Sequence, residues 1–219
     1  MKSGIMAALA PDRAIRAVLW VVANILFRIR VEGKEHIPSR GGALLVANHV
    51  SFADSVLVGY CTRRMVRFLM WRPYFEVPVF RHFFRALHAI PIGADSPKST
   101  VRALQQAREA LREGHLVAIF PEGEITSTGE MGPFERGFER VLLGTGAPII
   151  PMYIHGMYGH PLSIKGGGAL RSWETFLQTR ITVRIGQPVY GPIAGDVLRE
   201  RVSGLFKQPV AQPAEAAVG

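Results

Sequence analysis

Leu44-Leu45-Val46-Ala47-Asn48-His49-Val50-Ser51-Phe52-Ala53-Asp54-Ser55 decides how the rest of this chain is read. A strand-like apolar run stops at an imidazole, and a carboxylate follows five positions later. Five residues of an α-helix turn through about 500°, so within one helix the two side chains would sit on different faces. They meet only across a turn: a strand ending near Asn48, a loop through Ser51, and a helix opening between Phe52 and Asp54. In that arrangement the carboxylate reaches one ring nitrogen and fixes a neutral His49 as a general base. The other nitrogen is then free to take a proton from an attacking hydroxyl. A histidine and an aspartate at this spacing also occur by chance. A second segment argues for function: Ala118-Ile119-Phe120-Pro121-Glu122-Gly123-Glu124-Ile125-Thr126 again runs from apolar strand through a Pro/Gly turn to polar groups. In open α/β sheets ligands sit beyond the carboxyl ends of the strands, so two such ends face one cleft.

Outward from these segments, strands are expected at 28–31, 43–47, 66–70, 89–92, 116–120, 149–154 and 181–185. Helices are expected at 52–60, within 74–84 with a break at Pro78, at 99–113 and at 137–144. The helix at 99–113 is the clearest, with Val101, Leu104, Ala107, Arg108 and Leu111 at helical spacing and Gly114 as its stop. The alternation predicts a single α/β domain with a mainly parallel or mixed central sheet flanked by helices. The organisation reads as an amphipathic helix within 1–30 after a loose start at 1–10, a domain at 31–207 and a flexible tail at 208–219. Ile164-Lys165-Gly166-Gly167-Gly168-Ala169 reads as a solvated connector.

A net charge of +9 and a pI near 10.3 call for an acidic partner or surface. Arginines alternate with large apolar groups from Arg63 to Phe75 and from Phe80 to Arg85. No zinc-finger, homeodomain or RNA-recognition signature accompanies them, so an anionic membrane surface is preferred to nucleic acid. About half of the aromatics in these stretches are expected in the core. Residues 14–29 are mostly apolar, with Trp20 and Phe27 as interface-seeking groups, but Arg16, Asn24 and Arg28 interrupt them. The uninterrupted run 17–23 falls far short of the roughly 20 residues a spanning helix needs. It fits an amphipathic helix in the headgroup plane, arginines towards lipid phosphates, on the cytoplasmic face as a peripheral or monotopic protein. The alternative is an ordinary helix packed on the domain. A cleaved secretory signal is not expected.

Other chemistries fail on spacing. There is no Gly-x-Ser-x-Gly elbow, no complete dinucleotide fingerprint and no phosphate loop ending in Gly-Lys-Ser/Thr. His155, Tyr158 and His160 lack a second cluster, so no metal is expected. Cys61 is the only cysteine, which excludes an internal disulfide or cysteine cluster and reads as a small half-buried hydrophobe.

Asn48-His49-Val50-Ser51-Phe52-Ala53-Asp54 and Phe120-Pro121-Glu122-Gly123 resemble the first and third motifs of the glycerolipid (lysophospholipid) acyltransferase family. The apolar strand from Ala147 to Gly156, with Pro151 inside it, resembles the fourth. Order and spacing agree over roughly residues 30 to 190. Two positions depart from the pattern. Most members carry an arginine where this chain has Ile90-Pro91-Ile92-Gly93-Ala94-Asp95, and many have Thr-Arg-Ser where it has Glu124-Ile125-Thr126. Both arginines are associated with the phosphate of the acyl acceptor. Their absence favours an acceptor other than simple lysophosphatidate, and the second-motif stretch looks closer to domains that acylate lysophosphatidylethanolamine.

The resemblance implies acyl transfer from a thioester of coenzyme A or acyl carrier protein to the free hydroxyl of a lysophospholipid, with no cofactor. His49 would act as general base and Asp54 would orient it, without an acyl-enzyme. Glu122 and Gly123 would shape the acceptor site, Arg136 would contact phosphate in place of the missing arginines, and Pro151 would shape the strand beside the acyl or thioester site. A transacylase or thioesterase using the same pair, and a basic membrane-binding protein with a dead site, are the rival expectations.

Overall fold

The computed structural model describes residues 11–93, 96–164 and 179–207. The expected loose start at 1–10, the tail at 208–219, Ala94-Asp95 and most of the 164–169 connector lie outside the described residues. In chain order the elements are α1 (Pro11–Leu26), β1 (Phe27–Glu32), β2 (Ala43–Ala47), α2 (Asp54–Tyr60), β3 (Val66–Trp71), α3 (Pro73–Glu76), α4 (Pro78–Ala86), β4 (Ile90–Ile92), α5 (Pro97–Arg112), β5 (Leu116–Ile119), α6 (Gly137–Leu142), β6 (Ile149–His155), β7 (Thr179–Ile185) and α7 (Gly195–Lys207).

β2 lies at the middle of a seven-stranded sheet of order β1-β7-β6-β2-β5-β3-β4. All five of its residues are buried, as expected of a continuous apolar run flanked by helices on both faces. It pairs in parallel with β5 and β6, with Val46 opposite both Ile119 and Pro151. Parallel pairing continues through β3 to β4, whereas β7 is antiparallel to β6 and β1 is parallel to β7. The sheet is therefore mixed. Ala23 of α1 and Leu57 and Val58 of α2 pack with Leu45, Ala118 and Met152 on one face. On the other, Leu104 and Leu111 of α5, Phe138 of α6, and Leu198 and Val202 of α7 pack with Leu44, Val46, Val117 and Ile149.

α5 starts two residues earlier than its periodicity suggests, because the Ser96 side chain caps it, accepting from the Ser99 N–H, and Pro97 occupies the first turn. Val101, expected on the core face, is exposed, while Ala103 and Ala110 are buried. The helix meets β2 closely at Gly42, where a Cβ would collide with the Leu111 carbonyl.

Several expectations about the basic and amphipathic stretches are corrected. α1 ends at Leu26, and Phe27, expected at the membrane interface, opens β1 and is buried edge-on against His160. Arg16 does not point outward: its guanidinium donates to the Thr62 carbonyl at 3.1 Å. Asn24 also faces the domain, accepting from the Tyr60 hydroxyl at 3.1 Å. The polar interruptions of α1 thus turn towards α2, and Val18, Val21, Val22 and Ile25 form the outward stripe, Val18 and Ile25 being 61% and 58% exposed. This reverses the usual arrangement of a surface helix.

Arg64, expected among membrane-facing cations, instead donates to the carbonyls of Pro38, Gly41 and Gly114 at 2.7, 2.7 and 2.6 Å. It ties the approach to β2 to the end of α5. Arg64→Ala is expected to lower unfolding free energy by about 2 kcal/mol, read by urea denaturation. Arg64→Lys restores little of it, because one ammonium does not span three carbonyls. Of the neighbouring aromatics, Phe68 is core, whereas Trp71 and Tyr74 are exposed.

Candidate active site

β2 delivers the chain to Asn48, and the six residues before α2 make the turn on which the site depends. Asn48 is buried, and its amide replaces the next rung of the ladder. Its Oδ1 accepts from the Ile154 N–H at 2.7 Å and its Nδ2 donates to the Ile154 carbonyl at 3.0 Å. With the end of β2 pinned to β6, the following residue is presented beyond the sheet.

That residue is His49. Its Nδ1 lies 2.9 Å from Asp54 Oδ2. The same oxygen accepts from the N–H groups of Val50 and Ser51 at 2.7 and 2.8 Å, and Oδ1 accepts from the Ser51 hydroxyl at 2.6 Å. Asp54 is 0% exposed, and the hydrogen bonds that orient its carboxylate come from His49, Val50 and Ser51 of this turn. The acid at the start of α2 reaches back to the Ser51 N–H, and the Ser51 hydroxyl accepts from the Ala53 N–H at 3.2 Å, closing the turn with side-chain bonds. With Nδ1–H donated to a carboxylate, the neutral ring keeps its lone pair on Nε2. The ring lies flat on Phe120, centroids 4.1 Å apart and planes 12° apart. Asp54 and Phe120 thus fix its tilt.

His49 lines a cavity of about 2220 Å³ that runs over the carboxyl ends of β2, β3 and β5. Trp20, Tyr60 and Phe68 line it on one side of the sheet, and Leu104, Ile119 and Arg140 on the other. The volume is well beyond the roughly 300–1,000 Å³ of ordinary small-molecule pockets. An apolar space of this size with one oriented base at its rim suits long-chain substrates and proton abstraction from a hydroxyl.

The other expected site residues fall in three places. Gly123, in a left-handed turn with φ 77°, lines the cavity. Arg136 also lines it, at the start of α6, with its guanidinium paired to the Glu139 carboxylate at 2.9 Å. Glu122 is half-buried, and its carboxylate accepts from the N–H groups of His49 and Gly132. Burial pushes its carboxyl above the ordinary glutamate value, opposed by those N–H groups and by His49, and Asp54 adds to the rise. Pro151 is buried in mid-β6 opposite Val46, with Gly186 donating to its carbonyl, and is not among the cavity-lining residues. Among the described residues no group of His, Cys, Asp and Glu is arranged to hold a metal ion.

Asn48, Ser51 and Phe120 had no assigned role from sequence. Ser51 was findable, since Ser-x-x-Asp ahead of an apolar run is a capping signature. Asn48 was marked by being polar at the end of an all-apolar strand and by opening the first motif, and the stacking of Phe120 on His49 had no local signal.

A family model described as acyltransferase matches residues 28–155, which contain both strand ends and the whole His49–Asp54 turn. The chain belongs to this acyltransferase family. It is 29% identical over 185 residues to the chloroplastic 1-acyl-sn-glycerol-3-phosphate acyltransferase of Arabidopsis thaliana, an alignment covering 83% of this chain and 49% of the relative. With the 1-acyl-sn-glycerol-3-phosphate acyltransferase of Bacillus subtilis it shares 24% identity over 173 residues, 78% of this chain and 79% of that protein. The chain spans about half the length of the curated plant relatives it matches. The fold is similar to the crystal structure of the 1-acyl-sn-glycerophosphate acyltransferase PlsC from Thermotoga maritima. The TM-score is 0.71 at 25% identity, over 90% of this chain and 78% of the other. Membership in the family agrees with the resemblance carried by the motifs.

Proposed function

We propose that this acyltransferase-family chain moves a fatty acyl group from an acyl thioester, on coenzyme A or acyl carrier protein, to the free hydroxyl of a lysophospholipid. The observation that carries this is His49, oriented by a buried Asp54 at the wall of a large apolar cavity. Nε2 takes the proton of the acceptor hydroxyl as its oxygen attacks the thioester carbonyl. The tetrahedral intermediate collapses, the C–S bond breaks, and the imidazolium returns the proton to the departing thiolate. The products are an ester and a free thiol, with Asp54 offsetting the transient charge on the ring. No acyl-enzyme is required.

Lysophosphatidate is the acceptor the relatives favour, since those compared are named 1-acyl-sn-glycerol-3-phosphate acyltransferases. Arg136 and Arg140, both on the cavity wall, are the cations proposed for its phosphate. Lysophosphatidylethanolamine is the second reading, favoured by the missing arginines at 90–95 and 124–126. Purified chain is tested with both lysolipids and with acyl-CoA and acyl-carrier-protein donors, and products are identified by mass spectrometry. Diacyl phosphatidate and free thiol in equal amounts are expected. Free fatty acid without a lysolipid requirement would establish a thioesterase instead, and transfer from phospholipid donors alone a transacylase.

The same reading places the chain on an anionic membrane surface, peripheral or monotopic on the cytoplasmic face. Among the described residues no helix is long and apolar enough to cross a membrane. The outward stripe of α1 supports interfacial binding, because a contiguous exposed apolar face needs a cover and the net charge of +9 favours acidic headgroups. Changing Val18, Val21, Val22 and Ile25 together to serine is expected to weaken sedimentation with anionic vesicles about 10³-fold, at roughly 1 kcal/mol for each partly buried side chain. Unchanged vesicle binding would move the lipid contact elsewhere.

A further inference from the structure

Glu122 lies at the cavity edge without facing into it. Pro121, Gly123 and Glu124 are cavity-lining. Both oxygens of Glu122 are engaged by the main chain, Oε1 accepting from the His49 N–H at 2.7 Å and Oε2 from the Gly132 N–H at 2.8 Å. On the other side of His49, its carbonyl accepts from the Thr126 N–H at 2.9 Å. The two peptide units that flank the His49 Cα are therefore gripped by one segment, the turn that follows β5. Asp54 sets the rotation of the ring and, through the Val50 N–H, also holds the peptide unit that follows the His49 Cα. The peptide unit that precedes it, through the His49 N–H, is held by Glu122.

We propose that Glu122 is a positioning residue for acyl transfer, its carboxylate fixing the main chain at His49, and so the reach of Nε2 into the cavity, while docking the Gly132 loop to the same strand end. The role rests on the acyl-transfer reading above and replaces the expectation that Glu122 itself shapes the acceptor site. A carboxylate suits it because two N–H donors approaching from different segments need two acceptor oxygens. Glutamine offers one, and its amide nitrogen meets the second donor with another. Hydrogen bonds to an ionised acceptor are about twice as strong as neutral ones, so the grip is firm where it is half-buried. Among the described residues, His49 and Asp54 from the β2–α2 turn and Tyr153 from β6 interact electrostatically with Glu122. Burial and the Glu122 charge together push the Tyr153 hydroxyl above its ordinary value, which keeps that neighbour neutral as a phenol.

The test uses the full chain in mixed micelles with lysophosphatidate and acyl-CoA, comparing wild type with Glu122→Gln. The expected result is a fall in kcat of about 10²-fold, the scale of a misplaced catalytic group, with KM for both substrates unchanged. A second measurement does not depend on the variant folding. In wild-type protein the amide protons of His49 and Gly132 are expected well downfield, and both move upfield together as Glu122 takes up a proton on acidification. Amides that ignore that titration would overturn the proposal. A variant with normal kcat and a raised acceptor KM would also overturn it, returning Glu122 to the acceptor site. Wild-type protein inactive with every donor and lysolipid would overturn the acyl-transfer reading and this role with it.

Discussion

His49→Ala is expected to lower acyl transfer by about 10²- to 10⁴-fold, with little change in the KM of either substrate. In the proposed mechanism the loss falls on kcat, because the imidazole acts on a proton that moves only as the acceptor oxygen attacks, so ground-state binding does not register it. The fold should survive the change. Asp54 would lose the donor at 2.9 Å but keep the N–H groups of Val50 and Ser51 and the Ser51 hydroxyl. Asn48 would still pin the strand end to Ile154. Steady-state kinetics and a thermal melt on the same preparation check both halves. Near-normal turnover in a well-folded His49→Ala protein would rule out general-base catalysis by this residue.

Asp54→Asn is expected to cost up to about 10⁴-fold in kcat, the scale seen when a buried acid behind a catalytic histidine is neutralised. One oxygen of Asp54 accepts from three donors, the ring nitrogen and two main-chain N–H groups, and the other from the Ser51 hydroxyl. An asparagine keeps the first set by placing its carbonyl oxygen there and turning its amide towards Ser51, whose hydroxyl rotates to accept. The turn then holds, but the charge proposed to stabilise the imidazolium is gone. Under the proposed mechanism His49 and Asp54 act as a unit, so the double variant should be scarcely worse than the poorer single one. Additive losses would mean that the two side chains act on different steps.

The centre of the molecule was legible because local rules and tertiary structure agree there. β2 is apolar from Ala43 to Ala47 and is buried throughout. α5 carries a cap, a proline at its start, a helical period and a glycine stop. The meeting of His49 with Asp54 followed from the impossibility of their sharing a helix face. At the edges those signals fail. Between Leu26 and Phe27 the chain passes from helix to strand with no proline, glycine or change in polarity to mark it. α7 was missed although Leu198, Val202 and Leu205 are buried at helical spacing, because Gly195 and Gly204 break up the segment and charged residues crowd it. The direction in which α1 faces is likewise not a property of its own sequence: Arg16 turns inward to donate to the Thr62 carbonyl, beyond the end of α2. The grip of Glu122 joins residues 49, 122 and 132, and no local pattern reports a side chain reaching main chain so far away.

Cys61, which sequence placed at half burial, is fully buried at the end of α2, where its Sγ–H donates to the Leu57 carbonyl and burial pushes the thiol up to about 12. Thiolate chemistry needs both access and ionisation, and this sulfur has neither at neutral pH. Cys61 in the folded protein is therefore expected to add little background to maleimide labelling. A cysteine introduced at Val22 would carry a polarity-sensitive fluorophore alone, and its emission would report, without any further engineering, whether the outer side of the first helix sits in water or in oil.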